Sequence, residues 1–449
     1  MTSVPNRSSH RPLALLLAAT TLAAAAAVPA RAEALRLTLG EAIARALSDG
    51  TAAQLARLEV DRASRLEDRA KSALRPRLEA SLGYSNQSLN FETFGFVFPG
   101  TDPLVPPFYV IDARLGAAVD IVALAARRRL EAARHGVAVS TEERRSAEND
   151  VAAAVASLYV AVQASRAQVD ETQANTELFE RVAASTQRQL DAGVVTRVDL
   201  ERAQMQLARQ RDALLAARNQ EGRARLAFLQ AIGAPLDAEP ELTDPVLARH
   251  GEAMALDQAL AAARARRPEL AADAERLRAA EAELRSAKAR RLPTLALQAV
   301  AEYSGNYFNN LLWTRAVGLQ LSVPLDTSQA IASAVAESSV RIEELRVAQR
   351  DRERKVEREV RDALLAYATA KGRAELAERS RELAESELAH ARDRFENGVS
   401  SALELDNAQT SVTAAADRRV AALAAQAQAW FDLERATGGI RDLLPADRR

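Results

Sequence analysis

One stretch of the sequence occurs twice, and this duplication limits the possible folds more than any other feature. Leu190–Gln204 (LDAGVVTRVDLERAQ) returns as Phe395–Gln409 (FENGVSSALELDNAQ). The glycines of the two copies, Gly193 and Gly398, lie 205 positions apart, and the alignment continues without a gap for the next 40 residues. The chain is therefore expected to be internally duplicated, with two halves of similar structure.

Each copy of this stretch has the pattern of a helical hairpin tip. A helical run leads into a glycine, hydroxyl residues follow, and a second helical run leaves. Glycine suits the left-handed position at a helix end, and a hydroxyl accepts the free amides that open the next helix. The predicted tips are Gly193, Val194, Val195 and Thr196 in the first half and Gly398, Val399, Ser400 and Ser401 in the second.

A second region repeats at a different offset and adds strands to the helices. The helical region Leu39–Arg75 returns as Leu256–Arg291, 217 positions later, and Pro76 and Pro293 end the two runs. After each proline the apolar residues recur at every second position, which is the period of a strand with one buried face. The strands are expected at about residues 77–90 and 109–122 in the first half and 293–304 and 314–324 in the second.

Four strands are too few to close a barrel, and two isolated hairpins are marginally stable in water. Roughly ten residues of alternating pattern match the length of a tilted strand that crosses a bilayer. Several chains that each contribute four strands to one barrel would satisfy both facts, and a small soluble sheet that caps a coiled coil is the alternative. Aromatic residues at strand ends and loops favour the barrel, because they suit a membrane interface. They are Tyr84, Phe91, Phe108, Tyr109, Tyr303, Tyr307, Phe308 and Trp313.

The rest of the chain predicts long helices with thin apolar seams. Aromatic residues make up only 4% of the chain, and residues 123–190 contain no proline. From Val151 to Leu190 small and apolar residues recur at steps of four and three, which is the seam of a coiled coil. The helix that returns, Asp199–Ile232, is only half as long, and Leu39–Arg75 would stack end to end on it. The fold class is therefore mainly α, a long helical coiled-coil barrel with a small membrane β portion.

The first 32 residues resemble a secretory signal peptide. Basic residues precede the apolar run Leu13–Val28, and Ala30 and Ala32 supply the small residues of a cleavage site. An anchor that stays attached is the alternative. The chain has no cysteine, so neither a lipid-bearing cysteine nor a disulfide is possible. Export without either feature suits a protein of the Gram-negative envelope.

The predicted organisation has five parts. Residues 1–32 are the signal peptide, 33–232 the first repeat, 233–254 a connecting segment on the outside of the helical body, 255–438 the second repeat and 439–449 a C-terminal tail. The connecting segment is proposed because it holds three prolines between two helical regions.

Charge and motifs give no indication of an enzyme or of a nucleic-acid partner. Basic and acidic side chains number 60 and 61 and are spread along the chain, so no basic patch indicates nucleic acid. The four histidines have no metal-ligand spacing, and neither a phosphate-binding glycine loop nor a nucleophile elbow is present. The sequence therefore predicts no catalysis, no cofactor and no metal.

These features together resemble the TolC family of outer-membrane efflux proteins, or outer membrane factors. The resemblance covers almost the whole chain after the signal and depends on the order of the pieces: LGEAIARAL at Leu39, the proline strand entries, and the two tips. It implies a homotrimer, with a 12-stranded barrel in the outer-membrane lipid that continues as a helical tunnel into the periplasm. This chain departs from many relatives because it has no lipidated cysteine, and its second tip lacks the arginine that some relatives place after the glycine.

The resemblance also implies a function. It predicts that the chain forms the exit duct of a tripartite efflux pump or type I secretion system, and that its tips dock a periplasmic adaptor (membrane fusion protein) linked to an inner-membrane transporter. Acids just inside the tips, Glu404, Asp406, Asp199 and Glu201, are candidates for a periplasmic gate; Glu404 occupies the position of a gating acid in the family. Equally, an acid in the first turn of a helix would simply complement its dipole. A periplasmic coiled-coil adaptor or scaffold without a pore is the rival function.

Overall fold

The computed structural model describes residues 35–95, 99–100, 102–248, 251–252, 254–306, 310–325, 329–397, 399 and 402–444. The predicted signal peptide, residues 1–32, lies outside these ranges, as do three of the predicted tip residues, Gly398, Ser400 and Ser401. The division into signal, repeats, connecting segment and tail therefore stays a prediction.

Eight long or medium helices carry the duplication, four in each half of the described chain. They are α1 (Leu39–Asp49), α2 (Thr51–Ser72), α3 (Leu124–Asp191), α4 (Arg197–Ala231), α5 (Leu256–Arg266), α6 (Pro268–Ala289), α7 (Ala330–Glu396) and α8 (Ala402–Thr437). The bounds of α1 and α2 correspond to those of α5 and α6 at an offset of 217. The bounds of α3 and α4 correspond to those of α7 and α8 at an offset of 205, to within two residues. The predicted internal duplication is confirmed at the level of the fold.

The two helical regions expected before the strands are each broken into a pair of helices. Gly50 has an extended backbone between α1 and α2, and Arg267 has one between α5 and α6. At Arg267 the cause is the following proline, since Pro268 disfavours a helical conformation in the residue before it and starts a new helix well.

The 68-residue helix α3 is the axis of the chain and runs for about 100 Å. Its predicted seam is buried at seven positions, Val155, Val162, Ser165, Thr172, Thr176, Phe179 and Ala183. Several of these side chains are small or carry a hydroxyl, so neighbouring helices approach closely without a thick core. α3 packs against α2 and α4 of its own repeat and against α6 and α8 of the other.

Short helices stack end to end to match the length of the long ones, as predicted. A Cβ added to Gly233, after α4, would lie 3.2 Å from the Cβ of Asp49, at the junction of α1 and α2. A Cβ added to Gly438, after α8, would lie 2.9 Å from the Cβ of Arg266, at the junction of α5 and α6. Both glycines have positive φ, 65° and 77°. Each stack therefore depends on a glycine that ends one helix and contacts the next.

Four antiparallel strands form one sheet, in which they lie side by side in the order of the chain. The strands are β2 (Arg77–Asn90), β3 (Leu104–Val122), β5 (Thr294–Gly305) and β6 (Leu312–Ser322). Three of them match the predicted strands to within two residues at each end. β3 begins five residues before the predicted start at 109, because Leu104 and Val105 pair with Asn90 and Leu89 across a β-bulge. Pro106 and Pro107 lie beside the bulge, where a missing amide is tolerated.

The sheet has one apolar and one polar face, as the alternation predicted. Leu82, Ala113, Tyr303 and Trp313 lie side by side across the four strands, and Leu78, Ala117, Ala299 and Val317 form a second apolar row on the same face. Arg315, which lies over the ring of Trp313, is a charged exception on this face. Tyr84 stacks on Tyr109 near the loop end of this face, with ring centroids 5.3 Å apart.

The opposite face is crossed by polar pairs. Arg77 forms an ion pair with Asp120 at 3.6 Å, and Arg114 forms one with Glu302 at 3.0 Å. Charged groups that bond one another across strands are typical of the inward face of a membrane barrel. No helix within the described ranges has the length and hydropathy needed to cross a bilayer.

A second, two-stranded sheet lies where the helices stack, and its region is called the waist here. β1 (Leu35–Leu37) pairs in parallel with β4 (Pro240–Leu242), so part of the predicted connecting segment is bonded to the start of the described chain. The segment packs onto the helices through Val246, which is buried in the largest core cluster, while most of its other described residues are exposed or half-buried. The C-terminal region is likewise packed: a 3-10 helix, Ile440–Leu443, buries Ile440 completely.

Tyr159 of α3 connects the waist to the helical body. It is fully buried, packs edge-on against Phe228 of α4, and donates a hydrogen bond to the carbonyl of Leu37 at 3.2 Å. Its hydroxyl also accepts a hydrogen bond from the amide of Asp244 at 3.0 Å. Burial raises the pKa of Tyr159 to about 12. The hydroxyl therefore stays protonated and keeps both bonds throughout the neutral range.

We predict that Gly438→Ala lowers the free energy of unfolding by about 1–3 kcal/mol, because it places a Cβ in a left-handed position and against Arg266. Urea unfolding followed by circular dichroism measures the change. The matched control is Gly372→Ala within α7, where the added Cβ meets no atom within 4 Å. That change should raise stability by about 0.5–1 kcal/mol. Equal effects of the two substitutions would contradict the stacked junction.

Candidate functional site

The first hairpin tip has the geometry that its sequence predicts. Gly193 is left-handed, with φ of 74°, and its amide donates to the carbonyl of Leu190 at 2.9 Å. The amide of Val194 donates to the carbonyl of Gln189 at 2.8 Å, so the two bonds form a Schellman motif. This motif ends α3, and its left-handed glycine starts the turn that leads to α4.

Thr196 then starts α4 through a reciprocal capping box. Its side chain accepts a hydrogen bond from the amide of Asp199, and the Asp199 carboxylate accepts from the Thr196 amide at 3.0 Å. The hydrogen bonds from the Thr196 hydroxyl and amide lower the pKa of Asp199. The stabilisation is therefore present above the ordinary pKa of an aspartate and is lost as the pH falls through the lowered value.

The second tip follows the first at the positions that the structure describes. The amide of Val399 donates to the carbonyl of Arg394 at 2.8 Å, and the counterpart of this bond is the one from Val194 to Gln189. The exposures of Val194 and Val399 are equally high, at 72% and 71%. Leu403 adds another exposed apolar side chain at the start of α8. The two tips therefore both present apolar groups to the surroundings, although Val195 is half-buried.

The four candidate acids have two kinds of surroundings. The carboxylates of the first tip bond within their own helix: Asp199 caps α4, and Glu201 pairs with Arg197 at 3.2 Å. The carboxylates of the second tip bond to side chains of other helices. Glu404 pairs with Arg394 of α7 at 2.9 Å, and Asp406 accepts a hydrogen bond from Gln206 of α4 at 3.4 Å.

The sequence did not indicate two residues that bond to the candidate acids of the second tip, Arg394 and Gln206. Arg394 joins the two arms of the second hairpin, and Gln206 connects the first hairpin to the second. Both residues lie outside the two repeated tip sequences, and only the arrangement of the helices brings them to the acids. Placing both arms of each predicted hairpin side by side would have brought Arg394 opposite Glu404.

Neither tip resembles a catalytic or metal centre. Among the described residues no cluster of three or more histidine, aspartate or glutamate side chains is placed to hold a metal ion. His135 is half-buried between α3 and α6, where its Nδ1 lies 2.7 Å from the carboxylate of Glu275. It is thus a helix-packing residue. The site consists of exposed apolar turns with bonded acids beside them.

Comparisons with known proteins agree on one family and one fold. The family model described as outer membrane efflux protein matches residues 42–234 and 259–439, which is one match for each repeat. No curated protein sequence matches this chain.

Three solved structures share the fold at low sequence identity. The CmeC outer membrane channel of Campylobacter jejuni is 16% identical, with a TM-score of 0.75, over 92% of this chain and 90% of that one. The outer membrane protein VceC of Vibrio cholerae is 17% identical, with a TM-score of 0.75, over 89% and 96%. The open state of the MtrE outer membrane channel of Neisseria gonorrhoeae is 20% identical, with a TM-score of 0.74, over 89% of each chain.

We predict that Thr196→Ala loosens the first tip, because it removes the hydroxyl that caps α4. Loss of such a cap costs about 0.5–2 kcal/mol, so the amides of the first α4 turn should exchange with deuterium about 2 to 30 times faster. Hydrogen exchange with mass spectrometry measures the rate. The matched control is Gln204→Ala, an exposed position about two turns further along α4. Unchanged exchange in Thr196→Ala would show that the capping box does not order the tip.

Proposed function

The chain belongs to the family of outer membrane efflux proteins, a family of transport channels, and on that premise we propose that it forms the exit duct of a tripartite efflux pump or type I secretion system. Three copies form the duct. An inner-membrane transporter supplies the energy, and a periplasmic adaptor connects it to this protein. The observation that carries the proposal is the open four-stranded sheet with one apolar and one polar face.

The sheet supports a shared barrel because both of its edges lack a partner strand in the described chain. β2 and β6 are the edge strands. Within a bilayer every backbone amide and carbonyl needs a bonding partner, so an open sheet cannot span it. Four strands from each of three copies give 12, a number that closes into a barrel wide enough for a lumen.

The exposure of the apolar face fits lipid contact. Leu78 and Leu82 of β2 are 76% and 80% exposed, and Val317 and Leu319 of β6 are 73% and 66% exposed. Such a surface is costly in water but matches the hydrocarbon layer of the outer membrane. The polar face, with its ion pairs, then lines the lumen. The helices extend this lumen into the periplasm.

The tips are proposed to dock the adaptor. Val194 and Val399 are small exposed apolar side chains, and the amide of each donates the same backbone bond to the helix before it. An adaptor hairpin with apolar groups between its helices would bury them, in the manner of helix-in-groove recognition. Gly193, Val195, Thr196, Gly398, Ser400 and Ser401 complete the proposed docking surface.

Glu404 and Asp406 are proposed as the main acids of a periplasmic gate. Their bonds to Arg394 and Gln206 link α8 to two other helices. Spreading of the tips would break such links, and a closed ring of acids from three copies would favour cations. Asp199 and Glu201 belong to the same tip region, but their bonds lie within α4, so we assign them a smaller part.

We predict that Val194→Glu combined with Val399→Glu abolishes export, because charged groups cannot be buried against an apolar adaptor surface. The variant should still form heat-modifiable trimers in the outer-membrane fraction. Export is measured by cell survival under a transported toxic compound. The matched control is Val194→Leu with Val399→Leu, which keeps both side chains apolar and should leave export intact.

Two results would contradict these assignments separately. Unchanged export in the tip variant would remove the docking surface and leave the duct. A wild-type protein found as a soluble monomer would remove the duct itself and favour the rival function, a periplasmic coiled-coil adaptor or scaffold without a pore.

We also predict that Glu404→Gln with Asp406→Asn lowers the cation selectivity of the channel. The measurement is the reversal potential across a planar bilayer under a salt gradient, which should shift toward zero because six negative charges leave the trimer's gate. The matched control removes the same charge at Asp199 and Glu201, and its shift should be smaller. Equal shifts, or none at Glu404 and Asp406, would show that these two acids do not line the entrance.

A further inference from the structure

One arginine lies on the apolar face of the four-stranded sheet. Arg315 of β6 shares this face with Trp313 and Val317, because side chains two positions apart in a strand lie on the same side. It is the only charged residue on this face within the described strands. Its guanidinium carbon lies 5.8 Å from the centroid of the Trp313 ring. In the proposed barrel this face meets lipid, so Arg315 places a positive charge on the lipid-facing surface.

No carboxylate of the described strands neutralises this charge. The aspartates and glutamates of the four strands all lie on the opposite face: Glu79, Asp112, Asp120 and Glu302. Glu302 lies next to β6, but its carboxylate pairs with Arg114 on that opposite face at 3.0 Å. Within the described chain Arg315 forms no ion pair, and its ring contact with Trp313 is the interaction that holds it.

The acids of the neighbouring loops are too distant. Arg315 lies in the same row across the sheet as Ala80 of β2. The two acids of the β2–β3 loop, Glu92 and Asp102, lie beyond the end of β2, at least ten residues along this strand from Ala80. Ten residues of strand span about 33 Å. The β5–β6 loop, residues 306–311, has no acidic residue in its sequence.

A neighbouring copy offers no acid on this face either. In the proposed barrel β2 of the next copy pairs with β6. The side chains that β2 places on the apolar face are all uncharged: Leu78, Ala80, Leu82, Tyr84 and Asn86. The counter-ion of Arg315 must therefore come from outside the protein.

The position of Arg315 along β6 places its charge at the border of the lipid layer. In the proposed duct the helices extend into the periplasm, so the β5–β6 loop at the other end of the sheet faces the outer leaflet. Trp313 and Tyr303 lie side by side near this loop end and are 52% and 51% exposed. Aromatic rings in such positions lie at the level of the lipid head groups.

Arg315 lies only two residues further into the membrane than Trp313, which is about 7 Å along the strand. A guanidinium near the middle of the bilayer is strongly unfavourable, but near the interface it is tolerated. The contact with the Trp313 ring keeps the charged end of the side chain at the level of the aromatic row. An anion in the head-group layer can therefore reach it.

We propose that Arg315 and Trp313 form a binding site for the phosphate group of an anionic lipid in the outer leaflet. A guanidinium binds phosphate through two parallel hydrogen bonds and loses less hydration than an ammonium does. The acyl chains of the lipid would lie over Val317 and Leu319, which are 73% and 66% exposed. The inference rests on the proposed function, because it needs the apolar face to lie in the membrane.

The site occurs once in each copy, although the chain is duplicated. β3, the corresponding second strand of the first half, has no cation among the residues on its apolar face: Tyr109, Ile111, Ala113, Leu115, Ala117, Val119 and Ile121. A trimer therefore has three sites. Because β6 is an edge strand, each site lies beside the seam between two copies.

The first test counts bound lipids on full-length trimers by native mass spectrometry. The probe is a diglucosamine lipid with two phosphate monoesters, and its dephosphorylated form is the comparison lipid. We expect up to three tightly bound phosphorylated lipids per trimer. Arg315→Gln should weaken their binding about 10- to 100-fold, because charge-assisted hydrogen bonds are lost. Binding of the dephosphorylated lipid should be weak and equal in both proteins.

Two further variants make this result specific. Arg315→Lys keeps the charge but loses the two-bond geometry, so its affinity should lie between those of the wild type and Arg315→Gln. Arg358→Gln removes an exposed charge of α7, about 42 Å along this helix from its start, and should bind as the wild type does. Equal affinity of the wild type and Arg315→Gln for the phosphorylated lipid would overturn the site.

A second measurement locates the lipid at Trp313. The chain has two tryptophans, so Trp430→Phe leaves Trp313 as the only indole. A phosphorylated lipid with bromine on its acyl chains, a contact quencher, should quench Trp313, and added Arg315→Gln should raise the lipid concentration needed about 10- to 100-fold. Equal quenching in both proteins would overturn the site. Displacement of the lipid by an equal concentration of inorganic phosphate would overturn a lipid as the ligand.

Failure of this inference can be distinguished from failure of the proposed function. Trimers that stay in the outer-membrane fraction but bind the phosphorylated lipid independently of Arg315 would overturn the site and leave the duct. A wild-type protein found as a soluble monomer would overturn both.

Discussion

The unpaired backbone amides and carbonyls along the two free edges of the four-stranded sheet determine how this chain can assemble. β2 and β6 have one neighbouring strand each in the described chain. In water these edges would invite aggregation, and in lipid each unpaired group would cost several kcal/mol. Joining β6 of one copy to β2 of the next satisfies all of them at once. The alternation of apolar and polar residues on the four strands then fixes which face meets lipid and which lines the lumen.

The helices continue the wall around the lumen. Such a wall cannot have a thick apolar core. α3 uses serine, threonine and alanine in much of its seam. The largest apolar cluster is confined to the waist, where Tyr159 and Phe228 join the β1–β4 sheet to the stacked helix ends. The two repeats have diverged there: Arg267, bonded to Glu269 and Glu359, occupies the position of Gly50. Ion pairs thus hold the second junction, and a glycine turn forms the first.

The sequence predicted the elements whose local chemistry repeats. Both halves contain a proline that ends a helical region, strands with a period of two, and a glycine tip. The prediction for each half therefore supports the prediction for the other. The Schellman motif at Gly193 and the cap at Thr196 require only neighbouring residues, and both were found. The family match to both repeats confirms the resemblance that these pieces suggested.

What the sequence could not supply are contacts between distant segments. β1 and β4 are three residues each, too short for a periodic pattern, and they exist because Leu35 and Pro240 meet after folding. The same holds for Ile440 in the waist and for Arg394 opposite Glu404. The early start of β3 depends on pairing across a bulge, which overrides the prolines of the segment.

The most direct measurement is a density map of the protein extracted from outer membranes, at a resolution that shows individual strands. We predict three copies around an axial hole, with β6 of each copy hydrogen-bonded to β2 of the next in a closed cylinder of 12 strands. A single copy, or an assembly whose sheet edges stay unpaired around a filled centre, would contradict it.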